Sequence, residues 1–494
     1  MARKLYIFAI GGTGSRVLKA LTMLFASGVK IGNNFDTVIP VIIDPDTGNG
    51  DLNRTKDILR LYQEIRNQVD QPDDFFCQEI RTINEMTVST PVVNPEYFQF
   101  KLKDTDNNTF NQYIGFDSLS ENIEEKDDKN FVRSLYSSQN LKSNLDVGFK
   151  GNPNMGSIIL NQFTNSDDFR KFGQTFGDDD AIFIINSIFG GTGAAGFPLL
   201  LKNLKGNKNL PRYAKISVAP VGGITYLPYF SLNRNDEVNA ESFEEKAKIA
   251  IEYYNRTIIS LNQINTLYFI GNRGNTNQEE YAVGGQWQKN KAHFLELAGA
   301  LAILDFCKDV DSLKSTTQVK EFGIEHDTQN ITFTDLNIGN AKLLSPPLTK
   351  FKLYTEYLDK GLSKSLNVSR WTKSNIKLVR GNKQSLLNSN YFNSAEYKTQ
   401  IQPFNNYFNE WLKEMKENKP VFSPFEEITA DDALELVKGQ TPKGNKSFKA
   451  LDIQNCLLTD NISIRNKEKK HTMLIKMFGR STDKVLLKRN LVIR

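Results

Sequence analysis

The chain has 494 residues, of which 39% are hydrophobic and 24% are charged. This length suits two or three domains, and the ordinary composition excludes a disordered or fibrous chain. No run of about 18 apolar residues occurs, so neither a signal peptide nor an integral membrane span is expected. The three cysteines form no CxxC pair, which excludes a local zinc knuckle and fits a reducing cytoplasm. The small net charge of +5 does not imply a nucleic-acid partner.

The first predicted unit is a strand over residues 4–10, followed by a glycine loop and an amphipathic helix. A phosphate needs backbone N–H groups with no Cβ in the way, and the start of a helix adds partial positive charge. A second apolar run, over residues 38–43, predicts a neighbouring parallel strand. The first loop therefore predicts a phosphate contact, made by Gly11, Gly12, Thr13, Gly14 and Ser15.

The middle of the chain alternates between strands and helices. We interpret the polar stretch from about residue 52 to 146 as an insertion with mobile parts. Apolar strands are then predicted over residues 181–188, 216–221 and 266–270, and this βαβ alternation indicates a parallel α/β sheet. Residues 294–307 are apolar on almost every side, which predicts a helix through the middle of the molecule.

The pattern weakens near residue 311, so we predict a nucleotide-binding domain over residues 1–310 and a divergent C-terminal domain over 311–494. The stretch from 461 to 494 is rich in lysine and arginine and predicts a basic tail. Such a tail could meet nucleic acid, an anionic membrane face or an acidic protein, or it could be a solvated surface.

A second glycine loop follows the strand that ends near residue 188. Neither loop carries the Lys-Ser/Thr ending of a P-loop, so backbone amides and a metal must neutralise the phosphates. Asp44 and Asp46, at the end of the second strand, are placed to orient Mg²⁺ through water, although an acid after a strand can also be a turn former. A side chain at Gly193 is expected to occupy phosphate space while leaving the fold intact. The phosphate-binding residues predicted in this loop are Gly190, Gly191, Thr192, Gly193 and Ala194.

Several motifs occur in an order that resembles a known superfamily. Residues 184–198, IINSIFGGTGAAGFP, resemble the tubulin signature loop in its FtsZ form. Upstream, GFKGNPNMG at 148–156 resembles the loop that faces the terminal phosphate. Downstream, residues 216–230 resemble the next strand and its loop, and LYFIGNR at 267–273 is similar to the strand that ends in Asn-Asp-Arg. Over residues 4–306 the chain therefore resembles the tubulin/FtsZ superfamily.

This resemblance implies a Rossmann-type parallel-sheet GTPase domain with a long central helix, bound to GTP or GDP and Mg²⁺. It also implies longitudinal self-association into homo-oligomers or filaments, because in the superfamily a neighbouring subunit supplies an acid that completes the hydrolytic site. An aromatic side chain at the start of the central helix, Trp287 or Phe294, would stack on the base. The remaining roles fall on Gly151 and Asn152 at the terminal phosphate, Asn272 and Asn290 at the guanine, and Asp335 as the acid acting in trans.

Three alternatives stay open. Residues 11–15 followed by DPDTGNGDLNR at 44–54 resemble an adenylating enzyme of the ubiquitin-activating/ThiF type, although this leaves the second glycine loop unexplained. In a Rossmann oxidoreductase, Asp44 or Asp46 would hold the ribose of NAD(P). A scaffold that binds nucleotide without hydrolysing it would keep the fold and lack the acid in trans.

Overall fold

The structure, a computed structural model, describes residues 3–32, 35–88, 92–119, 123–146, 148–149, 151–229, 231–232, 242–272, 278–279, 285–321, 330–369, 371–372, 376–378, 381–383, 387–426, 437–439, 453, 456–457 and 469–489. The strands are β1 (Arg3–Ile10), β2 (Phe35–Ile43), β3 (Glu79–Ile80), β4 (Ala181–Ser187), β5 (Val221–Tyr226), β6 (Ser231–Leu232), β7 (Thr266–Ile270), β8 (Gln278–Glu279), β9 (Gln318–Glu321), β10 (Asn330–Ile331), β11 (Ile376–Leu378), β12 (Gly381–Lys383) and β13 (Val421–Phe422). The α-helices are α1 (Gly11–Ser27), α2 (Gly50–Gln68), α3 (Phe110–Tyr113), α4 (Ile123–Leu135), α5 (Ser138–Leu141), α6 (Pro153–Leu160), α7 (Asp167–Thr175), α8 (Gly191–Gly206), α9 (Tyr213–Ile216), α10 (Ser242–Tyr254), α11 (Phe294–Asp309), α12 (Ile338–Glu356), α13 (Leu362–Ser365), α14 (Ser389–Phe392), α15 (Gln402–Glu417) and α16 (Lys470–Arg489). None of the helices in these ranges combines the length and apolar content needed to cross a bilayer.

The centre of the fold is a seven-stranded sheet in the order β3-β2-β1-β4-β5-β7-β9. Every pair of neighbouring strands in it is parallel. The chain runs outward in one direction from β1 to β3 and in the other from β4 to β9, which is the doubly wound arrangement. The predicted α/β parallel sheet is confirmed.

Both faces of the sheet are buried because side chains alternate along each strand. In β1, Leu5 and Ile7 belong to one hydrophobic core, whereas Tyr6 and Phe8 belong to the other. Helices α1, α2 and α11 cover the first face, and α6, α7, α8 and α10 cover the second. The predicted central helix is confirmed as α11, in which nearly every residue is buried.

The helices after residue 311 share the first core. Helix α12 packs against α1, α15 and α16, and all of them contribute side chains to the cluster that contains α1. The predicted basic tail is therefore corrected in part, because residues 470–489 form a packed helix in which Met477 and Phe478 are fully buried. The rest of the predicted tail, residues 461–468 and 490–494, lies outside the described ranges.

Two further predictions differ from the structure. Residues 213–216 are helical, and the strand predicted over residues 216–221 lies instead over Val221–Tyr226. A Cβ at Gly222 would lie 2.6 Å from Phe306 of α11, so glycine lets the central helix approach the sheet. The predicted polar insertion also begins too early, since α2 is a core helix in which Leu52 and Leu61 are fully buried.

Candidate nucleotide-binding site

The two predicted glycine loops lie side by side at the carboxyl edge of the sheet. They follow β1 and β4, which are neighbours at the point where the strand order reverses, and ligands bind in this crevice in open α/β sheets. Helix α1 begins at Gly11 and α8 at Gly191. A Cβ at Gly11 would lie 3.7 Å from Thr192 Cβ, so the loops are in contact and both helix N-termini face one region.

The third predicted loop joins them. Gly151 has a φ of +72°, which favours glycine, and Asn152 caps α6 through its side-chain oxygen. A Cβ at Gly191 would lie 3.3 Å from Gly151 N and 3.2 Å from Asn152 N. The loops that begin at residues 11, 151 and 190 therefore surround one region, as the sequence predicts for a triphosphate.

The glycines of these loops fall into two classes. Gly12 and Gly190 are half-buried and have room for a Cβ, whose nearest atoms would be Arg16 Nη1 at 3.8 Å and Ser187 Oγ at 3.4 Å, respectively. By contrast, a Cβ at Gly193 would lie 2.7 Å from the backbone oxygen of Ser187. The expected effect of Gly193→Val is therefore wrong in mechanism, because the new side chain would collide with the strand end beneath the loop. Gly14 is equally tight, with a Cβ 2.7 Å from the backbone carbon of Ala9.

The other loop residues divide between the two sides of the loops. Thr192 and Ala194 are half-buried and belong to the accessible side. Thr13 and Ser15 are buried, and the Ser15 hydroxyl donates to Gly11 O at 3.4 Å. The hydroxyl of Ser15 thus supports the loop from within the protein.

An acidic group borders the first loop. Asp44 is buried, accepts a hydrogen bond from Asp46 N at 3.1 Å, and has its pKa raised by burial to about 7. Asp46 accepts from Gly285 N at 2.8 Å through Oδ2, while its buried Oδ1 has no hydrogen-bond partner among the described residues. Burial, with the charge of Asp146 as a smaller cause, raises the pKa of Asp46.

Asp146 is a candidate site residue that the sequence alone did not single out. Its Oδ1 is also buried without a hydrogen-bond partner in the described part of the chain. Its position two residues before the GFKGNPNMG motif is the signal that could have identified it. Unpartnered carboxylate oxygens fit Mg²⁺, which prefers one or two carboxylates together with phosphate oxygens and water. Within the described ranges no three acidic, thiol or imidazole groups form a self-sufficient metal site, so phosphate would have to supply further ligands.

The segment expected to contact the base lies against this acidic loop. Asn272 is half-buried and follows the end of β7, at the same edge of the sheet as the glycine loops. Trp287 is 80% exposed, and the chain around it is attached through Gln288 O, which accepts from Asp51 N at 3.0 Å. Phe294, the other aromatic considered for stacking, is buried against Phe422 with ring centroids 5.4 Å apart. Of the two aromatic side chains, only Trp287 is accessible to a base.

Asn290 is hydrogen-bonded to residues of α2. Its Nδ2 donates to Asp51 Oδ2 at 2.9 Å, and its carbonyl accepts from Arg54 Nη2 at 2.6 Å. This side chain joins the polar network behind the first loop, and its contact with the base stays a prediction.

The buried network centres on Arg16, which is 4% exposed. Arg16 Nε donates to Glu296 Oε1 at 2.5 Å, and Nη2 donates to Tyr229 Oη at 2.6 Å. Arg16 Nη1 lies 3.3 Å from Asp51 Oδ2. Sequence analysis recognised none of these long-range pairs, which join the helix of the first loop to α2 and to the central helix.

Asp335 makes local contacts. Its Oδ2 accepts hydrogen bonds from Thr332 N and Thr332 Oγ1, both at 2.7 Å, and so closes a capping box around the turn Phe333–Asp335. Both hydrogen bonds stay within residues 332–335 and do not reach the glycine loops of the same copy.

No protein family matches the chain, and no curated protein matches it. Among solved structures it is similar to CetZ2 from Haloferax volcanii, described as a GTPgS-bound protofilament, at 13% identity and a TM-score of 0.29, covering 62% of this chain and 59% of that one. It is also similar to CetZ from Methanosaeta thermophila at 13% identity and a TM-score of 0.25, covering 63% of this chain and 54% of that one. The chain thus matches less than two thirds of either neighbour.

Proposed function

We propose that this protein binds GTP at the carboxyl edge of its sheet and uses the nucleotide to control association with copies of itself. The observation that carries the proposal is the contact of three glycine loops at the switch point between β1 and β4. Two helix N-termini and a set of backbone N–H groups meet there, which is the arrangement that binds a polyphosphate without a lysine.

The residues of the loops divide the work of phosphate binding. Gly12, Gly190 and Thr192 present accessible backbone, and Gly151 closes the far side. Mg²⁺ would be held by Asp46 and Asp146, whose unpartnered oxygens would complete their coordination on the metal, with Asp44 behind them. When bound, the metal would neutralise charge on the terminal phosphates.

Guanine selectivity would come from Asn272 and Trp287. A side-chain amide can both donate and accept, as the edge of guanine requires, and the exposed indole offers a stacking surface. The segment that carries Trp287 is tied to Asp46 through Gly285 N. Base and metal contacts would therefore be formed by one connected surface.

Hydrolysis would require a second copy, because the three glycine loops contain no acidic residue and the acid would have to come from a neighbouring subunit. Asp335 is the proposed acid, presented by the neighbouring subunit, and GTP hydrolysis would then depend on assembly.

To test the proposed function, purified protein is incubated with GTP, ATP or NAD, and nucleotide retention, phosphate release and sedimentation are followed. Guanine-selective retention supports the proposal, whereas retention of NAD or release of pyrophosphate from ATP would contradict it and favour an oxidoreductase or an adenylating enzyme.

A nucleotide-binding scaffold that does not hydrolyse GTP is the second candidate function. The contacts of Asp335 favour it, because Oδ2 is occupied in capping the turn at Thr332. The two functions differ in one measurement: phosphate release per molecule rises with protein concentration for an assembly-dependent GTPase and stays at background for a scaffold. In the first case, Asp335→Ala abolishes release while GTP retention persists.

A further inference from the structure

A groove of about 760 Å³ lies between α6, α8 and α10, on the face of the sheet opposite α1. Its walls combine apolar and cationic side chains. Ile249 is 69% exposed, Tyr253 50% and Leu261 61%. We call this surface the lysine groove, defined by Lys202, Lys205, Lys246, Ile249, Tyr253 and Leu261.

The cations of the lysine groove have no acidic partner within the described ranges. Lys246 Nζ donates to Gly151 O at 3.2 Å, and Lys205 Nζ donates to Ser217 O at 2.9 Å. Both bonds are to neutral backbone oxygens, so among the described residues no carboxylate compensates these two positive charges. A surface of this kind suits a partner that offers apolar side chains next to carboxylates.

Helix α4 offers such a surface. Asp127, Phe131 and Leu135 follow one another at four-residue spacing and share one face, with Asp128 beside them. Phe131 is 65% exposed and Leu135 is 55% exposed, which is unusual for two large apolar residues in adjacent turns. Asp127 and Asp128 are also exposed.

The other faces of α4 make contacts within the same copy, which leaves the face with Asp127, Phe131 and Leu135 exposed. Val132 packs on the core, and the Tyr136 ring, just past the helix, lies 4.9 Å from that of Phe110. Lys126 and Arg133 project from a third side, where Arg133 lies over the Phe116 ring. The acidic and apolar face of α4 is thus separated from the basic residues of the same helix.

We infer that the acidic face of α4 in one copy docks in the lysine groove of a second copy. Both surfaces are exposed within a single copy, so a chain does not satisfy its own groove with its own helix. The charges are opposite and both surfaces are apolar at their centres, which gives complementarity for a second copy. The contact joins two different surfaces of the protein, so successive copies can add to one another in a chain. The chain closes into a dimer only if each of two copies places its α4 in the groove of the other. It rests on the proposed self-association and names the surfaces that would form it.

The test exchanges the charges. Sedimentation of the full-length protein with GTP is compared for wild type, Asp127→Lys/Asp128→Lys and Lys202→Glu. Each variant alone is expected to associate about tenfold or more weakly, because like charges then face each other across the contact. An equimolar mixture of the two variants is expected to recover part of the association, since in an alternating assembly the lysines introduced on the helix would face the glutamate introduced at position 202.

Lys126→Glu is the matched control, because it makes the same change in charge as Lys202→Glu on a different side of α4. It is expected to associate as wild type does. Unchanged association in both exchange variants, failure of the mixture to recover association, or a wild type that remains monomeric would each overturn the inference. GTP retention is measured in the same samples: its loss in wild type would contradict the proposed nucleotide function, whereas loss of association with retention intact concerns the contact alone.

Discussion

At the scale of single residues, glycine serves two purposes in the loops at the carboxyl edge. Gly14 and Gly193 are needed because strand ends lie directly beneath them, whereas Gly12 and Gly190 leave accessible space above the loop. These two kinds of glycine cannot be told apart from the sequence. A side chain added at Gly14 or Gly193 would disturb the fold, whereas one added at Gly12 or Gly190 would enter the space above the loop. Only substitutions at Gly12 and Gly190 therefore test ligand binding.

We predict that Gly12→Ala and Gly190→Ala each reduce GTP retention about tenfold or more, equivalent to ~1.4 kcal/mol. The added methyl would stand where the phosphates approach the backbone, while the protein has room for it. Equilibrium binding of a fluorescent GTP analogue measures the effect, and thermal unfolding should show no loss of stability. Gly206→Ala is the control, since nothing lies within 4 Å of its Cβ. Unaltered binding in both loop variants would separate the loops from the site.

We predict that Asp146→Asn and Asp46→Asn abolish the dependence of GTP binding on Mg²⁺. Each carboxylate has a buried oxygen that would coordinate the metal, and an amide is a weaker ligand for Mg²⁺. Titration calorimetry with GTP, with and without Mg²⁺, gives the comparison, and the exposed Asp106→Asn serves as control. A full magnesium effect in either site variant would exclude that residue as a ligand.

At the scale of elements, the helix of the first loop is held by buried charges instead of by apolar packing alone. Arg16 in α1 pairs with Glu296 at the start of α11 and with Asp51 in α2. Glu296 also accepts from His293 N at 3.1 Å and closes the N-terminal cap of α11. Removal of one partner from such a network leaves a buried charge unpaired, which costs more than the pair contributes.

We predict that Glu296→Gln lowers the free energy of unfolding by roughly 3 kcal/mol, because the Arg16 guanidinium would lose one of its two buried counter-charges and keep only Asp51. Glu64→Gln is the matched control: Glu64 pairs with Arg60 at 2.7 Å on a half-exposed surface, where the loss should stay below about 1 kcal/mol. Urea unfolding followed by circular dichroism measures both. Equal effects of the two substitutions would show that burial of the network adds nothing.

Lys205, near the end of α8, predicts a pH dependence. Burial lowers its pKa to about 8, below the unfolded value of 10.5. Between these values the unfolded chain binds more protons, so the free energy of unfolding should rise as pH increases from about 8 to 10.5. Relative to Lys205→Met, we expect wild type to gain on the order of 1 kcal/mol over this interval. Parallel pH profiles from urea unfolding of the two proteins would contradict this.

At the scale of the whole molecule, one core joins the beginning and the end of the described chain. Helix α16 packs against α12 and α2, and Asp70 N donates to Thr472 Oγ1 at 2.9 Å. A Cβ at Gly479 would lie 2.5 Å from Asp74, which shows how closely α16 approaches the loop after α2. These contacts make residues 470–489 part of the fold.

We predict that Phe478→Ala lowers stability by about 3–5 kcal/mol, because its fully buried ring contacts Tyr354, Tyr357 and Trp371. Removal of residues 470–494 should yield insoluble protein, whereas removal of 490–494 alone should not. Expression level, solubility and thermal unfolding are compared for the three proteins. Soluble, cooperatively unfolding protein without α16 would refute the shared core.

The strongly periodic parts of the fold were predictable from sequence. Strands β1 and β4, the buried helix α11 and the glycine loops depend on local apolar runs and on small residues at fixed positions. The packing of α16 was not predictable, because its amphipathic pattern was outweighed by its charge. Asp146, the Arg16 network and the position of Asn290 depend on contacts between residues far apart in sequence, which periodicity does not reveal.

The packing of α16 against α2 and α12 also constrains synthesis. Residues 11–68 leave the ribosome long before residues 470–489, which fill the same core. At roughly 5–20 residues per second, the surface of α2 that α16 covers stays exposed in the growing chain for about 20–80 s. We therefore expect chaperones to bind the nascent chain. Ribosome-bound fragments that end before residue 470 should be captured by holdase chaperones, and the completed protein should be released from them.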